Sequence, residues 1–514
     1  MKIYTTSQIR AWDAFSIENE PITSLELMNR AAQVFTGWFI QTYPDTTRPV
    51  VIFCGTGNNG GDGVAVARLL HWYGFEAKVV VCDFAGKRSA DFQAQIDELP
   101  KHGNIPLHWI EQVAELPDVP PNALLIDALF GSGLSRPLEN DWAAVVDLLN
   151  QGANEVVAID LPSGLSADQH STGNAIVQAD KTFSFERPKL AFFFPENSER
   201  VGDWGFGSIG LHPGFEEKNP SIYHFLSLKE AAELVRPRSK FSHKGTFGHA
   251  LLVAGSFGKM GAAVLAAQAC LRAGTGLLTV HSPRCGNLVL QTAVPEAMVK
   301  ADRRAKYWAE VPDIQGYTSI GVGPGIGNEP ETAAALEQLL RNLSFPGQEH
   351  PERGFLVLDA DALNLLSEHP DWWEHLPKNT ILTPHPKEFE RLFGKTKNDF
   401  DRNELQRAKA KEYGIFILLK GAHTAIACPD GECWFNHTGN PGMATGGTGD
   451  VLTGVLAGLL AQGYSPKSTV LLGACLHGLA GDLAAAEWSQ EALTAGDLIG
   501  FLGEAWLHLN KLRD

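Results

Sequence analysis

The chain is built from short apolar runs of strand length, each ended by a polar or glycine-bearing turn and followed by a helical pattern. Val50–Phe53, Ala77–Val81, Ala123–Ile126 and Val156–Ile159 have this character in the first half. Ala250–Val253, Ser319–Val322, Phe355–Leu358, Thr380–Leu382 and Phe416–Leu419 have it in the second. Strands that alternate with helices are joined by crossovers rather than hairpins, so the expected class is α/β with parallel sheets. Ligands of such folds bind beyond the carboxyl ends of the strands, where these turns lie. Gly214–Pro220 reads as a linker, and Ser227-Leu228-Lys229-Glu230 is a capping box that opens a helix after it. Two α/β domains are therefore expected, at 1–215 and 227–514, joined by a linker at 216–226. Pro346–Arg353 reads as a loop, and no short repeat is visible.

Bulk properties narrow the function classes. A net charge of −17 disfavours broad contact with nucleic acid or an anionic membrane. A local loop can still bind phosphate. The N-terminus has no apolar leader, and Val451–Ala461 is too short to span a bilayer. Val470–Ala486 carries His477 and Asp482 and reads as a buried helix. A soluble, cytoplasmic protein is expected. The seven cysteines suit reduced thiols. Cys428 and Cys433 flank Pro429-Asp430-Gly431-Glu432, a hairpin tip between two short strands, at a spacing that disfavours zinc.

In the first half, Gly55-Thr56-Gly57-Asn58-Asn59-Gly60 fits G-x-G-x-x-G after a strand, and Asp83 ends the next strand. A dinucleotide dehydrogenase would show the same pattern. The turn continues, however, as Asn58-Asn59-Gly60-Gly61-Asp62-Gly63. Its amide and carboxylate oxygens suit a cation or a polar ligand better than close backbone approach to a pyrophosphate. Asp127-Ala128-Leu129-Phe130-Gly131-Ser132-Gly133-Leu134-Ser135-Arg136-Pro137 and Asp160-Leu161-Pro162-Ser163-Gly164 follow two further strands. Three such loops on one sheet edge predict a site.

In the second half, Asn440–Asp450 ends as Gly446-Gly447-Thr448-Gly449-Asp450 and feeds a helical run from Val451. Backbone N–H groups at such a helix start can cradle a transferring phosphoryl group. Asp450 is placed to take a proton from an attacking hydroxyl. Asp359–Asn364, Leu382–Glu388 and Lys420–Thr424 end three strands, and Ser242–Gly245 and Gly321–Gly325 add further glycine- and lysine-bearing turns.

Taken together, the motifs N-N-G-G-D-G, D-x-L-F-G-S-G-L-x-R and D-x-P-S-G make the first half resemble the NAD(P)H-hydrate epimerase family over nearly its whole length, as a Rossmann-like domain. The resemblance implies that Asn58, Asn59, Gly60, Gly61, Asp62, Gly131, Ser132, Gly133, Leu134, Ser135, Arg136, Pro137 and Asp160 bind the hydrated cofactor. It implies that Asn59, Asp127 and Ser163 hold a potassium ion, a role their hard oxygens suit, and that Asp160 is the catalytic acid/base. Leu161 replaces the isoleucine common in that family.

The second half resembles the ribokinase-like NAD(P)H-hydrate dehydratase family over most of Ser227–Trp506. Lys387 stands where that family usually has glycine. The resemblance implies that Ala262, Gly323, Gly325, His385 and Asp450 contact the hydrate, with Asp450 as catalytic base. Lys420, Gly421, Ala422, His423, Thr424 and Gly449 would hold the adenine nucleotide, ADP or ATP, with Mg2+ on its phosphates.

Phosphate leaves far more readily than hydroxide. Phosphorylating the ring hydroxyl would let the ring nitrogen expel phosphate and restore the dihydronicotinamide. An isomerase–lyase for hydrated NADH and NADPH, acting as a homo-oligomer, is expected. A ribokinase-like vitamin-precursor kinase with an N-terminal regulatory domain is the alternative. A non-enzymatic binding module in the first half is a third reading, which the intact polar loops disfavour.

Overall fold

The computed structural model describes residues 1–134, 136–173, 175–344 and 356–513. Ser135, Phe355 and the expected loop Pro346–Arg353 lie outside the described residues. The chain forms two compact units, one chiefly Lys2–Ser221 and the other chiefly Ile222–Lys397 with Asp401–Asp514.

The first unit opens with helices α1 (Thr6–Asn19) and α2 (Ser24–Thr42), each begun by a threonine capping box. Strand β1 (Val50–Cys54) leads into α3 (Asn58–Trp72). Then come β2 (Ala77–Cys82), β3 (Leu107–Ile110), β4 (Leu124–Ala128), β5 (Glu155–Ile159), β6 (Lys181–Phe185) and β7 (Asp203–Gly207). All pairings are parallel, in the order β3-β2-β1-β4-β5-β6-β7. The winding reverses between β1 and β4, which opens a crevice at their carboxyl ends. The central strands are apolar on both faces because each face is covered: Ile52 and Phe53 are both fully buried, in separate clusters.

The four expected strands of this unit are present. β3, β6 and β7 were not expected. Leu107-His-Trp-Ile is short, Lys181-Thr-Phe-Ser-Phe alternates polar and apolar, and β7 carries two glycines. β3 and β7 are the sheet's two edges and β6 lies next to one, and none has the continuous apolar run of the central strands.

The second unit contributes β8 (Tyr223–Leu226), β9 (His249–Val253), α4 (Met260–Arg272), β10 (Leu277–Ser282), β11 (Met298–Ala301) and β12 (Ser319–Val322). It continues with β13 (Leu356–Leu358), β14 (Ile381–Leu382), α5 (Pro386–Phe393), β15 (Phe416–Leu419), β16 (Thr424–Ala427) and β17 (Cys433–Asn436). It closes with α6 (Thr448–Ala461), α7 (Pro466–Trp488) and α8 (Ala495–Arg513). The strands run β8-β17-β16-β15-β14-β13-β12-β9-β10-β11. From β15 to β11 every pairing is parallel, and β15-β16-β17 is an antiparallel meander. Its tip is the expected Cys428–Cys433 turn, and all seven cysteines are free thiols.

The stretch 216–226 carries regular structure at both ends. Gly214–Lys218 is a short helix whose Phe215 stacks on Trp12. Tyr223–Leu226 pairs in parallel with β17. α7 is long and apolar enough to cross a membrane, yet Leu472, Leu476 and Ala480 are fully buried in the unit's core.

α6 carries the Gly446–Asp450 motif at its start, and its position is fixed by contact with α4. A Cβ on Gly454 would lie 2.1 Å from the carbonyl oxygen of Ala266, and one on Gly458 would lie 2.6 Å from that of Cys270. Only glycine allows the two backbones to approach this closely. Gly454→Ala is therefore expected to force the helices apart and cost about 1–3 kcal/mol. Thermal unfolding should show a lower midpoint for the second unit and an unchanged one for the first.

Candidate functional site

In the first unit, the loops after β1, β4 and β5 meet at one point. A Cβ on Gly131 would lie 2.9 Å from Asn59 Oδ1 and 3.5 Å from Asp160 Oδ2. Gly131, Asn59 and Asp160 thus enclose a small polar space. The Asn59 amide nitrogen is buried with no hydrogen-bond partner, as expected of a group aimed at a ligand. Asn58, Gly60, Gly61 and Asp62 share the first turn of α3 with it. Of the β4 loop, Ser132 donates its backbone N–H to Asp160, and Leu134 packs against an apolar cluster that includes Leu129. Arg136 and Pro137 follow in the same loop.

Asp160 sits one residue past β5 with φ 66°, a left-handed conformation that costs a non-glycine residue on the order of 1 kcal/mol or more. Its Oδ1 is 2.8 Å from Lys189 Nζ. Phe185 N and Ser184 Oγ also donate to it, at 3.3 and 3.4 Å. Burial alone would raise this carboxyl; the Lys189 ammonium and these donors hold it below the usual carboxylate range. Lys189 is itself only 3% exposed, with Phe185 and Arg187 carbonyls as its other acceptors.

Asp127 and Ser163 form a second knot. Ser163 Oγ is 2.6 Å from Asp127 Oδ1, and Ser163 N donates to Oδ2 at 2.8 Å. Ser163 Oγ also accepts from Phe130 N at 2.8 Å. Asp127 is fully buried, which pushes its carboxyl up to about 6 against these hydrogen bonds.

Two further carboxyls are raised by the Asp160 charge. Burial, then the Asp160 and Asp13 charges, push Asp62 well above the ordinary range. Asp13, on α1, is raised to about 6 by burial and the Asp160 charge, with Lys189 opposing. Neither Asp13 nor Lys189 stands in a motif, so sequence reasoning missed both.

In the second unit the corresponding point is Asp359, buried at the end of β13. Its Oδ1 is 2.9 Å from Lys420 Nζ, and its Oδ2 accepts from Thr453 Oγ1 at 2.7 Å. Lys420 comes from the end of β15 and Thr453 from the second turn of α6. The three side chains tie the strand that bears Lys420 to α6. Gly449 belongs here too: a Cβ on it would lie 3.4 Å from Lys420 Nζ. Gly447 starts α6 in the left-handed region, at φ 96°. His477 Nε2 lies 2.8 Å from Thr448 O, with burial holding the ring down to about 4, so it stays neutral. Burial, then the Asp359 charge, raises Asp450 to about 6.

The other expected residues are brought in to different degrees. A Cβ on Gly323 would lie 1.9 Å from Asp359 O, and one on Gly325 would lie 3.2 Å from the Ala262 Cβ, so both glycines face the cleft edge. His385 caps α5: its Nδ1 accepts from Lys387 N and Glu388 N at 3.1 and 3.3 Å. Glu388 bridges it to the site at 3.6 Å from His385 Nε2 and 4.0 Å from Lys420 Nζ. Gly421 and Ala422 are exposed beside Lys420, and Thr424 Oγ1 donates to Gly421 O. His423 stacks on His437, with ring centroids 5.2 Å apart.

Two family models match this chain. One, described as NAD(P)H-hydrate dehydratase, matches residues 250–502, and the other, described as YjeF-related protein N-terminus, matches residues 24–191. The chain is 36% identical to the bifunctional NAD(P)H-hydrate repair enzyme Nnr of Moorella thermoacetica, across 98% of this chain and 96% of that protein. It is 31% identical to the enzyme of the same name from Escherichia coli, across 97% and 93%. Among solved structures, an ADP/ATP-dependent NAD(P)H-hydrate dehydratase from Bacillus subtilis, co-crystallised with ATP and Mg2+, is 32% identical. It matches with a TM-score of 0.48, over 56% of this chain and 98% of that one.

The Asp160–Lys189 pair can be tested without any substrate. Lys189→Met leaves a carboxylate buried without its cation, expected to cost the first unit about 3–5 kcal/mol. Adding Asp160→Asn should restore most of that loss in chemical denaturation. A neutral Lys189→Met would show that the pair does not carry the charge balance.

Proposed function

This chain belongs to the bifunctional NAD(P)H-hydrate repair enzymes, and on that premise we propose how its two sites divide the work. It repairs hydrated nicotinamide cofactors as an isomerase fused to a lyase. In our reading the first unit interconverts the R and S hydrates of NADH and NADPH. The second dehydrates the S epimer with ADP, or ATP, as phosphoryl donor.

The observation that carries the dehydratase reading is the Lys420–Asp359–Thr453 tie at 2.9 and 2.7 Å beside the start of α6. It holds a cation and a row of backbone N–H groups around the turn from Gly446 to Asp450, the geometry needed to stabilise a phosphoryl group in flight. Asp450 takes the proton from the hydrate's ring hydroxyl as the oxygen attacks the terminal phosphorus. The ring nitrogen lone pair then expels phosphate, and the dihydronicotinamide is restored. Ala262, Gly323, Gly325 and His385 border the hydrate in this reading, and Lys420 to Thr424 with Gly449 border the nucleotide. Asp450 and Asp359 repel each other, which fits a divalent cation facing them on the nucleotide phosphates. Magnesium would supply charge neutralisation there.

In the first unit, Asn58 to Asp62 and Gly131 to Pro137 border the hydrate. Asp160, kept ionised by Lys189, is the base. A potassium ion held by Asn59, Asp127 and Ser163 fits the chemistry of those oxygens. Asp127 is fully buried, and the donors to its oxygens among the described residues, Leu129 N, Ser163 N and Ser163 Oγ, are all neutral. The ion would supply the charge that Asp127 lacks. A cytoplasmic homo-oligomer without nucleic-acid or membrane partners completes the proposal. The −17 net charge and the burial of α7 support its last part.

The decisive assay incubates the full chain with hydrated NADH and either ADP or ATP, and follows reduced-nicotinamide absorbance. NADH recovery without a stable phosphorylated product is expected. Accumulation of a phosphorylated pyrimidine or thiazole alcohol would instead mark a vitamin-precursor kinase. Asp450→Asn should abolish recovery and spare epimer exchange, and Asp160→Asn should do the reverse. Because Asp450 works as a carboxylate, wild-type dehydration should fall as pH drops below about 6. A flat profile from pH 5 to 8 would remove Asp450 as base. Separately, exchanging choline for potassium should lower the unfolding midpoint of the first unit. Asp127→Asn should erase that response.

A further inference from the structure

An ionised Asp160 explains only half of an inversion. To exchange the two faces of the hydrated carbon, one hydroxyl must leave and another must arrive. Leaving requires a proton donor and arrival requires a proton acceptor. A carboxylate clamped by an ammonium at 2.8 Å can accept the proton of the arriving water, but it cannot at the same time protonate the departing hydroxyl. The donor must come from elsewhere in the pocket.

α1 lies against this pocket and is held there by its own contacts. Thr6 N donates to Asp168 Oδ2 at 2.8 Å, just past the Asp160–Gly164 motif. Trp12 Nε1 donates to His212 O at 2.9 Å, and the Arg187 guanidinium sits 5.1 Å over the Trp12 ring. Arg10 Nη2 reaches the β4 loop, 3.0 Å from where a Cβ on Gly133 would be. Asp13 follows Arg10 by three residues and therefore shares its helix face. These residues precede the segment that the first family model matches, which begins at residue 24.

The groups around Asp13 are already committed. Lys189 is paired with Asp160. Glu186 accepts from Arg187, Ser208 and Ile209 N. Asp62, on α3, is the remaining acid. Asp13 is half-buried and accepts no hydrogen bond from any described residue. It lies one turn along α1 from Arg10, the residue that reaches the β4 loop.

We infer that Asp13 is the second acid–base group of the epimerase site, working against Asp160. This rests on the epimerase reading given above. Asp13, as the neutral acid, protonates the ring hydroxyl. The carbon–oxygen bond breaks, its electron pair leaves with the oxygen as water, and the ring nitrogen lone pair forms a carbon–nitrogen double bond. A water molecule then adds to the other face. Its oxygen forms the new bond, its proton passes to Asp160, and the double-bond pair returns to nitrogen. Asp13 ends ionised and Asp160 protonated. The opposite epimer runs the same steps with the roles exchanged, or the proton returns through solvent.

The electrostatics agree with this division. Burial first, then the Asp160 charge, raises Asp13 to about 6, with Lys189 opposing and Glu186 adding to the rise, close enough to neutrality to give up and regain a proton. Burial and the Asp160, Asp13 and Asp91 charges all push the Asp62 carboxyl up, with no lysine opposing them as Lys189 does at Asp13.

Asp13→Asn in the full-length chain tests this. Exchange of the R epimer should fall by about 100-fold or more, and the residual rate should lose one limb of its pH profile. Dehydration of pure S epimer by the second unit should be unchanged. The first unit should unfold at the same or a higher temperature at pH 8, since the folded state disfavours an ionised Asp13. Its carboxyl is raised on folding, so stability is lost as pH rises from about 4 through about 6, and asparagine removes that loss. Exchange within threefold of wild type overturns the assignment, as does loss of the pH limb in Asp62→Asn instead. Failure of the wild-type chain to exchange epimers would overturn the epimerase reading itself, a result visible before any variant is made.

Discussion

Each unit rests on one buried aspartate at the end of a parallel strand, held by a lysine from another strand end. Asp160 meets Lys189 at 2.8 Å, and Asp359 meets Lys420 at 2.9 Å. Both turns pass through a left-handed residue, Asp160 itself at φ 66° and Ala360 at φ 50°. A carboxylate in such a place is costly to bury, and only a close cation with further donors makes it tolerable. The lysine thereby fixes the loop after its own strand against the loop after the aspartate's. Thr453 extends the second tie to α6, and Ser132 N extends the first to the β4 loop. The convergence of loops that makes each cleft follows from these pairs.

The same pairs divide each cleft electrostatically. Where one carboxylate has captured the cation, its neighbours face an uncompensated negative charge in a desolvated space and are pushed toward neutrality. Asp13 and Asp62 stand in that relation to Asp160, and Asp450 stands in it to Asp359. Each site thus holds a lysine-paired carboxylate beside another carboxyl raised to about 6. Carboxylates set apart in this way take different roles in acid–base chemistry, though their side chains are alike.

Local patterns made much of this legible. The Asn58–Asp62, Gly131–Pro137 and Gly446–Asp450 turns announce themselves because glycine is required where backbones meet, as at Gly131 beside Asn59. The central strands announce themselves because both faces are buried. Long-range charge partners were not legible. Asp359 is 61 residues from Lys420 and 94 from Thr453, and no spacing rule links them. Lys189 lies beyond the following strand, after a strand that alternates like a surface one. Asp13 sits on α1 in no motif, beside Trp12, whose apolar neighbours mark the helix as a packed one and say nothing of the carboxyl. Ala262 and His385 were placed by resemblance, and their neighbours explain why: Ala262 is small because Gly325 packs on it, and His385 caps the helix that presents Glu388.

The position of Asp450 carries a consequence for the nucleotide. The start of α6 favours anions through its free N–H groups and its dipole. That attraction acts on phosphate and on Asp450 alike, yet burial and Asp359 already hold Asp450 up at about 6. A bare di- or triphosphate would bring more negative charge to the same turn and drive the carboxyl further toward its protonated form, which cannot accept a proton. A nucleotide that arrives with a divalent cation reverses the sign of that perturbation. Lys420 alone cannot do so, because Asp359 already holds it. The buried ion pair that shapes the cleft therefore also makes Asp450, in the base role proposed for it, depend on the metal–nucleotide complex rather than on the nucleotide.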